Sequence, residues 1–109
     1  MLKEKNKKSK NDDCIFCKIA RKEIPSEFIY ENDNFFAVND VNPKINGHTL
    51  IASKKHFINI MDIPSSLGIE LVDAIKSVAE IKLKKHDGEG FNLTQNNFPS
   101  AGQVVMHFH

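Results

Sequence analysis

The sequence predicts a single α+β domain, an antiparallel sheet covered by one long helix. Three observations carry that prediction. Two short runs rich in aromatic and β-branched residues, 27–31 and 35–39, flank Asn32-Asp33-Asn34, a cluster of turn formers. After Pro64, the apolar residues Leu71, Ile75, Val78, Ala79 and Leu83 recur at helical spacing. Beyond Gly88 and Gly90 the pattern returns to alternation at 91–94 and 103–109. A chain of 109 residues has room for one such domain.

The elements follow in order. Residues 1–11 hold five lysines and one glutamate with almost no apolar content, so 1–12 is expected to be a disordered basic tail before a domain at 13–109. Cys14 to Ala20 is a compact apolar stretch suited to one short helix or turn, and Pro25 marks a break after it. Runs 27–31 and 35–39 pair as a hairpin. Asn42-Pro43 and Asn46-Gly47 punctuate a loop, and 48–53 reads as a buried strand. Ser65 or Ser66 is placed to cap the long helix. Lys82, Lys84, Lys85 and His86 fall in its last turns, where the helix dipole favours cations. Gly88 and Gly90 end it. The strands 91–94 and 103–109, with the loop 96–102 between them, bring the expected sheet to about five strands.

Composition excludes several classes. Charged residues make up 27% and hydrophobic residues 40%, too apolar for a disordered chain. The longest apolar run is four residues, whereas a membrane-spanning helix needs roughly 20. The N-terminus has no apolar segment of the secretory kind. Two cysteines cannot build a multi-bridge scaffold, so reduced thiols and a cytoplasmic location are expected. The net charge of +1 conceals a basic tail on a mildly acidic body. The body offers no basic face, so nucleic acid is not an expected partner.

The chemistry lies in the histidines. His48 opens a strand, and His56 follows that strand's exit. His107 and His109 end the last one as His-Phe-His, and alternation puts both on one face with Phe108 on the other. Two neighbouring imidazoles resist carrying charge together, which keeps a ring neutral and nucleophilic near neutral pH. The same pair also suits metal ligation. Just upstream, Gly102 lets a backbone N–H approach an anion closely, and Gln103 offers an amide donor. His86 stands apart in a lysine-rich helix end and reads as a surface residue. Cys14-x-x-Cys17 permits a zinc half-site or a redox pair. A redox pair wants a strand before it, and here the tail precedes it.

The strand Ala101-Gly102-Gln103-Val104-Val105-Met106-His107-Phe108-His109 resembles the signature of the histidine-triad (HIT) superfamily, His-x-His-x-His with apolar residues between. The resemblance extends over nearly all of 14–109. It includes Cys14 to Ile19, Ile24-Pro25-Ser26, Val38 to Pro43, Gly47 to Ile51 and Lys54-Lys55-His56, in the family's order. The sequence ends at the second histidine of the motif, so the third histidine and the segment after it are expected to be missing from the domain. Val104 stands where some relatives carry a hydroxyl.

The resemblance implies a HIT-like fold. It also implies hydrolysis of nucleotide conjugates, nucleoside phosphoramidates or dinucleoside polyphosphates, through a nucleotidyl-histidine. His109 matches the nucleophile, His107 the first triad histidine that orients it, and His48 a separate upstream histidine of the site. Gln103 and the Gly102 backbone match phosphate contacts, and Asn96 a polar contact on the phosphate side. Asp40 matches the ligand of the ribose hydroxyls, and Val41 lies against the base of a purine nucleotide. Some family members bind structural zinc through residues matching Cys14, Cys17, His56 and His107. A homodimer paired through the long helix and a central strand is implied as well. The same pocket without turnover would make a nucleotide-binding, zinc-stabilised protein or an inactive fragment.

Overall fold

The computed structural model describes residues 13–40 and 48–109. The lysine-rich tail and the loop marked by Asn42-Pro43 and Asn46-Gly47 lie outside them. Helix α1 spans Ile15–Ala20. Cys14 caps it: its Sγ accepts the Cys17 N–H at 3.4 Å. It ends in a Schellman-type turn. Lys22 takes a left-handed φ of 63°, its N–H bonds the Ile19 carbonyl, and Glu23 N–H bonds the Lys18 carbonyl.

Strands β1 (Phe28–Glu31), β2 (Phe35–Asn39) and β3 (Thr49–Ser53) form one antiparallel sheet in that order. The hairpin turn is set by Asn32, whose Oδ1 accepts the N–H groups of Asn34 and Phe35 at 3.0 and 2.9 Å. β2 pairs with β3 from Phe35↔Ser53 to Asn39↔Thr49. As the central strand, β2 is covered on both faces, which explains its unbroken apolar run. Phe36 and Val38 join Phe16 and Ala52 in one cluster, while Phe35 joins Ala74 and Phe108 in another. The sheet therefore lies between α1 and helix α2 (Gly68–His86), each packing on one of its faces.

α2 starts later than the sequence predicts. Ser65–Leu67 form a short 3-10 turn, and no side chain caps the helix. The backbone supplies the cap: Leu67 N–H bonds the Pro64 carbonyl and Gly68 N–H bonds that of Ser65. At the other end Asp87, with φ 52°, takes the left-handed position, and Gly88 N–H closes on the Leu83 carbonyl at 2.9 Å.

The expectation of about five strands is corrected to three among the described residues. Residues 91–94 alternate in pattern but have no strand partner, and Phe91 and Leu93 are 60% and 64% exposed. Alternation describes side chains, whereas a strand is a ladder of backbone hydrogen bonds. Residues 103–109 are held to the core by backbone bonds at one residue, Phe108. Its N–H bonds the Phe57 carbonyl at 2.7 Å, and its carbonyl accepts Ser53 N–H at 3.3 Å. One anchored residue is not a ladder. The predicted facing of the histidines nevertheless holds: the His107 and His109 rings lie 5.5 and 4.8 Å from the Phe16 ring, while Phe108 enters the opposite cluster.

Candidate functional site

α1, the exit of β3 and the C-terminal segment meet beside Phe16. There Cys14, Cys17, His56 and His107 bring two sulfurs and two imidazole nitrogens within 4.8 Å of one another. Cys14 Sγ is 3.2 Å from His107 Nδ1, Cys17 Sγ is 3.2 Å from His56 Nδ1, and Cys17 Sγ is 3.5 Å from His107 Nδ1. Zinc–sulfur and zinc–nitrogen bonds of about 2.3 and 2.0–2.1 Å place tetrahedral ligand atoms roughly 3.3–3.8 Å apart. The donor types suit zinc, three of the separations lie near that range, and the four residues could hold a metal ion. The cysteines form no disulfide.

The buried His107 is oriented for such a role. Its Nε2 lies 2.6 Å from the Ser53 carbonyl oxygen, so this nitrogen carries the proton and donates. That tautomer turns the Nδ1 lone pair toward the two sulfurs. Burial pushes the His107 pKa down to about 4, against the Ser53 hydrogen bond, which acts the other way; the nearby His56 and His109 push it down further. The ring is therefore neutral at pH 7, the form that binds metal. Burial is also the main cause that raises the Cys17 thiol to about 12, with Cys14 adding to it. A bound cation reverses this logic by stabilising the thiolate.

His109 follows two residues on. Its Nδ1 donates to the His107 carbonyl oxygen at 2.7 Å, which leaves the lone pair on Nε2. His48 and Asp40 also meet. His48 Nε2 is 3.4 Å from Asp40 Oδ2, and Asp40 N–H bonds the His48 carbonyl at 3.2 Å. Val41, the expected base contact, lies outside the described residues. His86 is exposed, as its surroundings in the sequence predict.

The remaining expected contacts gather in the loop before the histidines. Gly102 has φ 99°, a conformation that needs glycine, and Asn96 Nδ2 lies 3.4 Å from its carbonyl oxygen. Gln103 is 4% exposed. Its amide nitrogen donates to the Ile58 and Val105 carbonyls at 2.6 and 3.0 Å, and its Oε1 accepts Phe98 N–H at 2.8 Å. Sequence reading did not find Phe16, the shelf beneath both histidines, or Ser53, the partner that sets the His107 tautomer. An apolar residue between two cysteines and a serine at a strand end carry no distinguishing pattern.

A family profile described as HIT domain matches residues 21–109. An uncharacterized HIT-like protein of Methanocaldococcus jannaschii is 40% identical over 96 residues, covering 88% of this chain and 74% of its own. An adenylylsulfatase of Arabidopsis thaliana is 36% identical over 98 residues, covering 90% of this chain and 50% of its own. An adenosine 5′-monophosphoramidase of Candida albicans is 36% identical over 100 residues, covering 88% and 66%. The chain therefore spans between half and about three-quarters of the length of these relatives. A solved structure of a HIT-family protein from Bacillus subtilis aligns with a TM-score of 0.83 at 34% identity, over 89% of this chain and 69% of that one.

Proposed function

This chain belongs to the HIT-domain family, and from that premise we propose that it hydrolyses nucleotide conjugates through a covalent nucleotidyl-histidine on His109. The observation that carries the reading is the bond from His109 Nδ1 to the His107 carbonyl, which in the neutral ring places the lone pair on Nε2. Nε2 attacks the α-phosphorus of a nucleoside phosphoramidate or dinucleoside polyphosphate. The bond from phosphorus to the amine or phosphate breaks, and the leaving group departs with its electron pair and takes up a proton. Water then cleaves the phosphorus–nitrogen bond, releasing the nucleoside monophosphate and restoring His109.

Asp40 accepts the ribose hydroxyls of a purine nucleotide, Val41 lies against the base, and Asn96 and the Gly102 backbone meet phosphate oxygens. His48 stands beside Asp40 as a further imidazole of the site. Zinc on Cys14, Cys17, His56 and His107 is structural, fixing α1 and the His107 ring, and so the carbonyl that orients His109. The relatives named for adenylylsulfatase and phosphoramidase activity support the substrate class. The active form is a cytoplasmic homodimer. The deciding experiment incubates the chain with adenosine 5′-phosphoramidate and with diadenosine polyphosphate and measures AMP, with His109→Ala as control. Release above the control supports the reading. Nucleotide bound in calorimetry with no release makes the chain a nucleotide-binding protein instead.

A further inference from the structure

Phe98 has φ 74° and ψ 150°. That region is essentially confined to glycine, because a Cβ there meets its own backbone. Such a conformation persists only where the surroundings impose it. The surroundings here are chiefly one residue, Gln103, with Ala101 N–H also bonding the Phe98 carbonyl at 3.0 Å. Gln103 Oε1 accepts the Phe98 N–H at 2.8 Å, and Gln103 N–H donates to the Phe98 carbonyl at 3.1 Å, so both backbone groups of the strained residue are held by the same partner. Gln103 is itself immobilised. It is buried, and its two amide protons go to the carbonyls of Ile58, beyond β3, and Val105, two residues before His107. A second tie, Ile60 N–H to Asn97 Oδ1 at 2.9 Å, holds the same loop to the same segment.

The loop so held carries Asn96 and Gly102. With both protons committed to backbone carbonyls, the Gln103 amide has none left to offer a phosphate. We propose that Gln103 is a positioning residue: it locks Phe98 in a glycine-like conformation and thereby fixes Asn96 and Gly102 relative to the His107–His109 segment. This inference rests on the hydrolase reading, in which those two residues meet the phosphate.

Relaxation of Phe98 toward negative φ would shift the loop, and misplacement of about 1 Å at a reacting centre costs on the order of a hundredfold in rate. Gln103→Ala is therefore expected to lower kcat by about that factor, measured per folded molecule with adenosine 5′-phosphoramidate. Phe98→Gly added to Gln103→Ala is expected to recover about tenfold, because glycine takes φ 74° without strain, whereas Phe98→Ala recovers nothing. An unchanged kcat in Gln103→Ala overturns the inference. So does a loss that Phe98→Gly does not relieve, the result expected of a direct phosphate ligand. Hydrogen exchange at the Phe98 amide reads the clamp without turnover. Exchange about tenfold faster in Gln103→Ala supports it, and equal exchange overturns it. A wild-type chain that releases no AMP overturns the hydrolase reading, and the exchange comparison then decides the clamp on its own.

Discussion

His109 Nδ1 lies 2.7 Å from the carbonyl oxygen of His107, while His107 Nε2 lies 2.6 Å from the carbonyl oxygen of Ser53. The two imidazoles are thus held in opposite tautomers, each by a backbone acceptor. His107 presents Nδ1 to the cysteines, and His109 keeps its lone pair on Nε2. One two-residue spacing sets both rings, because side chains at 107 and 109 share a face and the main chain between them provides the link.

Metal loss should unfasten this arrangement. The purified protein is expected to contain about one zinc per chain by elemental analysis, and Cys17→Ser to contain none. A ligand at a hundredfold excess over its Kd stabilises the folded state by about 2.7 kcal/mol, which shifts the melting temperature of a domain this size by on the order of 10 °C. Chelation followed by a thermal melt should show a drop of at least that order. A metal-free protein whose melting temperature is insensitive to chelator and to Cys17→Ser would falsify the zinc centre.

Phe16 is 5% exposed and packs against Phe36, Val38 and Ala52 while supporting both histidine rings. Phe16→Ala is expected to cost about 3–5 kcal/mol in chemical denaturation. Phe16→Leu keeps most of the volume and should cost less than about 1.5 kcal/mol. A measured loss under about 1 kcal/mol for the alanine variant would show that the shelf contributes little to the core.

The histidine and cysteine constellation was legible through the family resemblance, because each member lies in a short motif that matches; from residue types alone Cys14-x-x-Cys17 left a zinc half-site and a redox pair open. The hairpin was readable because Asn32 carries its own turn chemistry. The strands at 91–94 and 103–109 were misread for one physical reason. Alternation reports which face a side chain takes, and 107–109 does alternate, but pairing depends on a neighbour that no local pattern names. The start of α2 was misplaced because Ser65 and Ser66 lie in a 3-10 turn whose backbone does the capping. Gln103 offers amide donors beside a glycine in the sequence, and the fold is what shows their partners, the Ile58 and Val105 carbonyls.

Asp40 is assigned to the ribose, and its neighbour His48 lies 3.4 Å away. Asp40→Asn removes the charge and one acceptor while conserving shape. It should lower kcat/KM for a ribonucleotide substrate by about 10- to 100-fold and affect a 2′,3′-dideoxy analogue far less, since the analogue offers no hydroxyls to lose. An equal loss on both substrates would place Asp40 in loop support through His48 rather than in ribose recognition.

Exposed apolar side chains carry the last prediction. Ile69 and Val72 are 76% and 52% exposed on α2, and Phe91 and Leu93 are exposed on the segment that alternates without a strand partner. Four large apolar side chains in water are unfavourable, and so are extended backbone groups without a ladder. In the proposed homodimer a second copy of the chain would supply both needs, with 91–94 pairing against its counterpart and α2 packing beside it in an isologous interface. Sedimentation at micromolar concentration is expected to give twice the chain mass of 12.4 kDa. Phe91→Asp places a charge in the proposed ladder and should shift the protein to monomer while leaving the metal content unchanged. A wild-type mass of one chain refutes the dimer outright. A Phe91→Asp variant that remains dimeric moves the interface off 91–94.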